Sequence, residues 1–302
     1  MSDPLREAAA RLAAAGVSNP RLDARLLWEE AERQAALMLR QAQHEEDVRS
    51  ALTLSLSKGE GAIAAIFDSL IARRAGREPL AYIVGRKEFW SLDFEVGPGV
   101  LIPRSESETI VEQALAFFQD RSAELTVLDL GTGTGCLLIA FLKEFLNGRG
   151  VGIEKSEKAR AYTLRNVTRH RVAARCEIRA GDWAEMPAGR FDAILANPPY
   201  IKTAELAGLE PELRFEPQEA LDDGPDGLAA YRVLAPLIAR LLKPGGRAFL
   251  EIGPTDGVAA LLAGAGLNSV RVHHDLAGIP RVLSAGCGDF PEKTVGKPEG
   301  NG

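Results

Sequence analysis

Apolar positions recur at helical spacing through the first 75 residues. After Asp3-Pro4, a capping residue followed by a proline suited to the first helical position, Leu5, Ala8, Ala9, Leu12 and Ala15 share one face up to Gly16. A second helix is predicted after Asn19-Pro20, with Leu22, Leu26, Leu27 and Ala31 on one side, and further helical patterns run through 36–39, 48–56 and 63–74. The last carries the clearest stripe, made of Ile63, Ile66, Phe67, Leu70 and Ile71. Residues 1–77 therefore read as a small helical bundle, either a stabilising cap or a docking module for a macromolecular substrate.

From Glu78 the texture changes. Alternation around Phe94 and Val96 predicts a short hairpin within a linker spanning 78–108, and Ser105 with Glu108 three residues on forms a capping-box pattern. That pattern opens a helix through Ile110, Val111, Ala114 and Phe117. Beyond it, apolar strand candidates at 125–130, 151–154, 176–179, 193–196, 247–252 and 270–273 alternate with helices after Gly135 and Ser156 and at about 228–242 and 257–262. Strands alternating with helices predict an α/β domain over 109–285 with an open, mostly parallel, Rossmann-like sheet. Residues 286–302 are polar and rich in Gly, Pro and Lys, so a frayed tail is expected.

Composition narrows the class. The chain is 46% hydrophobic and 26% charged, ordinary for a folded soluble protein, and its net charge of −6 provides no global field for a polyanion. Cys136, Cys176 and Cys287 form no C-x-x-C pair and the four histidines make no spaced ligand set with them, so no metal is expected and a reducing compartment is. His273-His274 is predicted as a solvated pair at a strand end. The amino terminus carries Asp3 and Glu7 and no continuous apolar core, and no stretch has the length of a membrane span; a cytoplasmic protein is the expectation.

The candidate chemistry sits where strands end. Gly131, Thr132, Gly133, Thr134 and Gly135 bring backbone, unshielded by side chains, to a strand-to-helix turn where a ligand can lie. A dinucleotide fingerprint requires glycine at the sixth position, which here is Cys136. Glu154, ending the next strand, has the chemistry to accept from two ribose hydroxyls; Asp182 can accept from an adenine amino group and Trp183 can pack on the base. Asn197-Pro198-Pro199-Tyr200 follows a buried strand, and its two prolines force a rigid loop. The Asn197 side-chain carbonyl and the Pro198 backbone carbonyl give two acceptors above the Tyr200 ring, which suits a planar group bearing NH2.

The Gly-x-Gly-x-Gly loop preceded by Asp129 resembles the first motif of Rossmann-like methyltransferases that bind S-adenosylmethionine. Asn197 to Tyr200 resembles the acceptor motif of methyltransferases acting on planar nitrogens of adenine, cytosine or glutamine. Pro79 to Gly85, Glu88-Phe89-Trp90, Leu101 to Glu108, Glu216-Pro217, Ala220-Leu221, Asp226-Gly227-Leu228 and Glu251-Ile252-Gly253 resemble the release factor glutamine methyltransferases, the HemK/PrmC family. That resemblance spans nearly the whole chain. It implies methyl transfer to the side-chain amide nitrogen of the glutamine in the Gly-Gly-Gln motif of peptide chain release factors; a monomer is expected, and the net charge of −6 argues against direct nucleic-acid contact. The catalytic set is then Asn197, Pro198 and Tyr200, with Pro199 completing the substrate loop.

Departures from the family pattern are Ser105 and Ser107, where proline and threonine are usual, Glu154 for aspartate, and Asp256 near a position often held by glutamine. An amide nitrogen is a poor nucleophile that must be held in line with the methyl group. Its proton becomes acidic after transfer, so no strong base is required, and none stands out in the sequence. Two alternatives stay open at this point: an adenine-N6 or cytosine-N4 nucleic-acid methyltransferase, and a non-catalytic adaptor.

Overall fold

The computed structural model describes residues 3–43, 51–183, 189–254, 256–275 and 277–288, and the chain divides into two compact units. The first comprises Met1–Lys87, Glu95–Ile102 and Gly208–Pro217; the second comprises Glu88–Phe94, Pro103–Ala207 and Gln218–Gly302. The predicted tail lies outside the described residues from 289 onward. Among the described residues no helix is long and apolar enough to cross a membrane.

The first unit is built on α1 (Pro4–Ala14), α2 (Pro20–Gln43), α3 (Ala51–Ala75) and α4 (Leu80–Val84). Asp3 caps α1 as its sequence predicts, its carboxylate accepting from the Leu5 amide at 3.0 Å. Leu12, Leu27, Phe67, Leu70, Ile71 and Ile83 form the buried core. The separate helical patterns of the sequence fuse: 36–39 is the late part of α2, and 51–56 opens α3, with 48–50 outside the described residues. Propagating a helix adds one hydrogen bond per residue, so Gly59 and Gly61 blur the periodicity of α3 without ending it. The short α4 was not predicted; Pro79 precedes it and Gly85, at φ 78°, closes it in the left-handed region. Arg74 is held between Asp23 at 2.7 Å and Glu212 at 3.0 Å, and Arg77 meets both oxygens of Glu212. These pairs fasten the 208–217 segment within this unit.

The chain leaves the first unit at Lys87 and returns to it at Glu95 along a hairpin, β1 (Arg86–Phe89) and β2 (Leu92–Glu95). Its two turn residues, Trp90 and Ser91, take φ of 54° and 55°, the left-handed pair of a two-residue hairpin turn.

The second unit carries a seven-stranded sheet of β3 (Thr126–Leu130), β4 (Arg149–Glu154), β5 (Cys176–Ala180), β6 (Phe191–Ala196), β7 (Leu242–Glu251), β8 (Asn268–His274) and β9 (Pro280–Gly286). The spatial order is β5-β4-β3-β6-β7-β9-β8, parallel from β5 to β7 and antiparallel at β9 and β8. Helices α5 (Glu108–Phe117), α6 (Cys136–Glu144), α7 (Glu157–Arg169), α8 (Ala229–Leu241) and α9 (Val258–Gly264) cover both faces. Leu128, Leu130, Ile194 and Leu250 pack with α8 and α9, whereas Val127, Ala193, Leu195 and Phe249 pack with α5, α6 and α7. Burial on both sides accounts for the continuous apolar runs of these strands. Gly150 is fixed by packing, since a Cβ there would lie 2.5 Å from Leu138 of α6.

Two expectations are corrected and one strand is added. The capping box at Ser105 does not form: Ser105–Ser107 is a single 3-10 turn and α5 starts at Glu108 with no side-chain cap. The Ser105 hydroxyl donates to Glu106 at 3.2 Å and the Glu108 carboxylate accepts from the Trp90 amide at 2.8 Å, while the neighbouring Ser107 hydroxyl is bonded to Glu251. His273 is half-buried and bonded to Ser284 at 2.8 Å, so it is not part of a solvated pair. Strand β9, unassigned in the sequence, is held between β7 and β8.

Candidate active site

The strand register gathers the predicted residues. Ile153, Leu130, Ala196 and Leu250 are partners along one row of the sheet. The next residues are Glu154, Gly131, Asn197 and Glu251, so four separate strands deliver their last chemistry to one line at the carboxyl edge. Strand order reverses between β3 and β6, the place where open α/β sheets leave a crevice for ligands.

On the β3 side, Gly131, Gly133 and Gly135 take φ of 77°, 57° and 84°, a conformation that a Cβ disfavours. The loop is fastened from several directions. Gly131 and Thr132 amides donate to the Ile153 carbonyl at 3.0 Å, the Thr163 hydroxyl donates to the Gly133 carbonyl at 2.6 Å, and the Asn166 amide donates to the Thr134 carbonyl at 3.0 Å. Beneath it lies Asp129, 1% exposed, whose carboxylate accepts from the Thr132 hydroxyl at 2.5 Å. Burial, opposed by that hydroxyl and reinforced by the Glu154 charge, pushes the Asp129 carboxyl up to about 7. Asp129 thus faces its own loop. Thr163 and Asn166 were missed in the sequence, where they look like ordinary positions of a helix.

Glu154 accepts from the Gly133 amide at 2.9 Å through Oε2 and from the Ser156 amide at 2.8 Å through Oε1. Each oxygen keeps a second lone pair, so the carboxylate is oriented yet still able to accept from a diol. The Trp183 ring lies against Gly131, its Cζ2 3.3 Å from where a Cβ would stand. Asp182 beside it is exposed. A glycine loop open to backbone contact, an oriented acid and an adjacent aromatic fit an adenosyl group.

On the β6 side, Asn197 and Tyr200 are half-buried and Pro198 is buried. Among the described residues, no N–H or O–H donates to the Pro198 carbonyl or to Asn197 Oδ1. The loop is pinned as it leaves: Ile201 donates to the Leu221 carbonyl at 3.0 Å, and the Asp223 amide donates to the Ile201 carbonyl at 2.8 Å. Asn197 Nδ2 donates to the Ser107 hydroxyl at 2.9 Å, and Ser107 in turn donates to Glu251 Oε2. The Tyr200 hydroxyl reaches Glu251 Oε1 at 3.4 Å. Its ring rests on Gly253, where a Cβ would come within 2.4 Å of Tyr200 Cδ2. Asp192, the second residue of β6, is at the far end of the strand, bonded to Thr126 and Lys243.

Ser107 and Glu251 were not singled out for chemistry in the sequence. Glu251 is 2% exposed, and burial, offset in part by Ser107 and Arg281, pushes its carboxyl up to about 7. The signal that identifies Glu154, an acid on the last residue of a buried strand, holds equally for Glu251. Burial also drives the Tyr200 phenol up to about 12, so this ring is neutral at ordinary pH. The arrangement offers two unclaimed carbonyl acceptors and an aromatic face beside a fixed glycine loop, a place for a planar NH2 group next to a methyl donor.

Residues 121–252 match a methyltransferase domain family, and residues 3–85 match the PrmC N-terminal domain family. The release factor glutamine methyltransferase of Caulobacter vibrioides is 42% identical over 90% of this chain and 91% of its own length. That of Cereibacter sphaeroides is 42% identical over 94% of this chain and 97% of its own. Among solved structures, the release factor-specific protein-(glutamine-N5) methyltransferase from Alicyclobacillus acidocaldarius is 29% identical, with a TM-score of 0.39, over 65% of this chain and 100% of that one. With relatives this similar over nearly its full length, the chain belongs to the release factor glutamine methyltransferase family.

Proposed function

We propose that this chain transfers a methyl group from S-adenosylmethionine to the side-chain amide nitrogen of the glutamine in the Gly-Gly-Gln motif of a peptide chain release factor. The observation that carries it is the single row formed by Glu154, Gly131, Asn197 and Glu251, which sets the cofactor loop directly beside the two free acceptors. The cofactor, when bound, supplies an electrophilic methyl on a sulfonium. Glu154 holds the ribose hydroxyls, Trp183 packs on the base with Asp182 near its amino group, and Gly131 to Gly135 accommodate the remainder against backbone. Asp129, Thr132 and Thr134 act by holding that loop in shape.

Asn197 Oδ1 and the Pro198 carbonyl each accept one N–H of the glutamine amide, and Tyr200 packs on its plane. Two N–H bonds to fixed acceptors orient the nitrogen lone pair, and the same acceptors stabilise the positive charge that develops on nitrogen during attack. Pro198 and Pro199 keep the loop stiff. The activity for which the relatives are named supports the acceptor, and the net charge of −6 supports a protein rather than a polyanion. The test is mass spectrometry of release factors and of DNA after incubation with enzyme and S-adenosylmethionine. A gain of one methyl on the glutamine is expected; methylation of DNA alone, or of neither, overturns the reading.

A further inference from the structure

Asn197 has two chemically opposite ends, and which end faces the acceptor decides what the site can hold. Its amide carbonyl accepts; its NH2 donates. Ser107 settles the choice. A hydroxyl has one proton, and Ser107 directs it to Glu251, a buried carboxylate on the last residue of β7. The Ser107 oxygen is left with lone pairs only, so it draws the Asn197 NH2 at 2.9 Å and turns Oδ1 the other way. Ser107 is itself 2% exposed, so water does not compete for either bond. Glu251 is fixed in turn, with its second oxygen reached by the Tyr200 hydroxyl and its backbone carbonyl by the Tyr231 hydroxyl at 2.8 Å.

We propose that Ser107 and Glu251 form a positioning relay that locks Asn197 with its carbonyl toward the acceptor, making the corner select a primary amide over a carboxylate of the same shape. This rests on the glutamine reading above. A glutamine side chain brings an NH2 to two carbonyl acceptors and pairs both. A glutamate side chain brings only oxygens, which face the Asn197 and Pro198 carbonyls with no proton between them; buried acceptors left unpaired in this way are what give a polar site its discrimination. Without the Ser107 hydroxyl the Asn197 amide is free to turn, and the corner then offers an NH2 that a carboxylate can use.

The test compares the full-length enzyme with Ser107→Ala, Ser107→Val and Ser107→Thr variants. Turnover is measured on a release factor. Calorimetry in the presence of S-adenosylhomocysteine gives the affinity for that protein and for the same protein with its target glutamine replaced by glutamate. Loss of the hydroxyl in the alanine and valine variants is expected to lower kcat by roughly 10- to 100-fold through misorientation. The glutamine-to-glutamate affinity ratio is expected to shrink by about tenfold or more. Threonine, nearly the same size as valine, restores both. A valine variant with the wild-type ratio, or a threonine variant that loses it equally, overturns the relay. Failure of the wild-type enzyme to methylate the glutamine overturns instead the reading on which the relay rests.

Discussion

Asp129 and Glu251 are two buried carboxylates of the same sheet, 1% and 2% exposed, each met by a hydroxyl and each pushed up to about 7 mainly by burial. Their partners differ. Thr132 lies three residues on from Asp129, in the loop that leaves the same strand, while Ser107 lies 144 residues from Glu251 on another element. Asp129 therefore secures a backbone conformation, and one of its oxygens has no partner among the described residues. Glu251 has both oxygens engaged and passes its bond through Ser107 to the reacting corner. Similar chemistry serves two ends of one site: it shapes the donor loop at β3 and orients an acceptor side chain at β6.

If the two ends are separable in this way, substitutions at the β6 corner leave cofactor binding alone. Asn197→Ala is the most severe test. It removes one of two preorganised acceptors, a loss of roughly 100- to 1,000-fold in kcat, while S-adenosylmethionine binding by calorimetry stays near wild type. A parallel collapse of cofactor affinity would show that the corner and the loop are one structure.

Gly253→Ala comes next. The added Cβ would stand 2.4 Å from Tyr200 Cδ2, so the ring must move. A displacement of this kind near the reacting atoms costs up to roughly 100-fold in kcat/KM for the protein substrate. Cofactor affinity is again unchanged, and a normal kcat/KM for this variant would remove Tyr200 from the site.

The same contrast explains what could be read from sequence alone. The Asp3-Pro4 cap and the Ser156 cap on α7 are short-range features whose partners lie within three residues, and the glycine loop announces itself by residue type alone; all three are legible, although the groups that fasten the loop, Glu154, Thr163 and Asn166, are distant in sequence. The capping box at Ser105 does not form because each half has another partner: Glu108 serves the distant Trp90 amide and the Ser105 hydroxyl turns to its neighbour Glu106. Strand β9 follows a Gly-Ile-Pro stretch and lacks alternation, since four successive residues, Val282 to Ala285, are all buried. Of the site, three of the four strand ends, Glu154, Gly131 and Asn197, are named by their residue types; Glu251 is not, and the Ser107 link between it and Asn197 depends on folded proximity.

The protonation of Glu251 gives a third, graded test. The carboxylate accepts from Ser107 through Oε2; when that oxygen is protonated it donates to Ser107 instead, and the Ser107 proton turns toward Asn197 and inverts the amide. Ser107 is bonded to Glu251, the titratable and charged groups around it include Tyr200, Tyr231, Cys136, Arg281 and Glu106, and burial outweighs the favourable Arg281 charge. Activity is expected to rise with pH through about 7, with a limiting slope of about one for a single proton. Glu251→Gln should abolish that step. A profile identical in the variant would assign the titration to another group.

Asp129→Asn has the smallest expected effect on turnover and most directly separates the two carboxylates. With Thr132 still bonded to the remaining carbonyl, kcat at saturating S-adenosylmethionine stays near wild type, and the KM for the cofactor rises by a few-fold, as for loss of about one charged hydrogen bond. Stability carries the clearer signature. The folded-state carboxyl is raised to about 7, above the ordinary value near 4 expected in the unfolded chain. Between those values the folded state holds a proton that the unfolded state has released. Its contribution is therefore full below about pH 4 and is lost as pH rises through about 7. The asparagine variant does not titrate. In melts between pH 5 and pH 8 the wild type should lose stability relative to the variant as pH rises, and a constant difference across that range would show that Asp129 does not titrate near 7 beneath its loop.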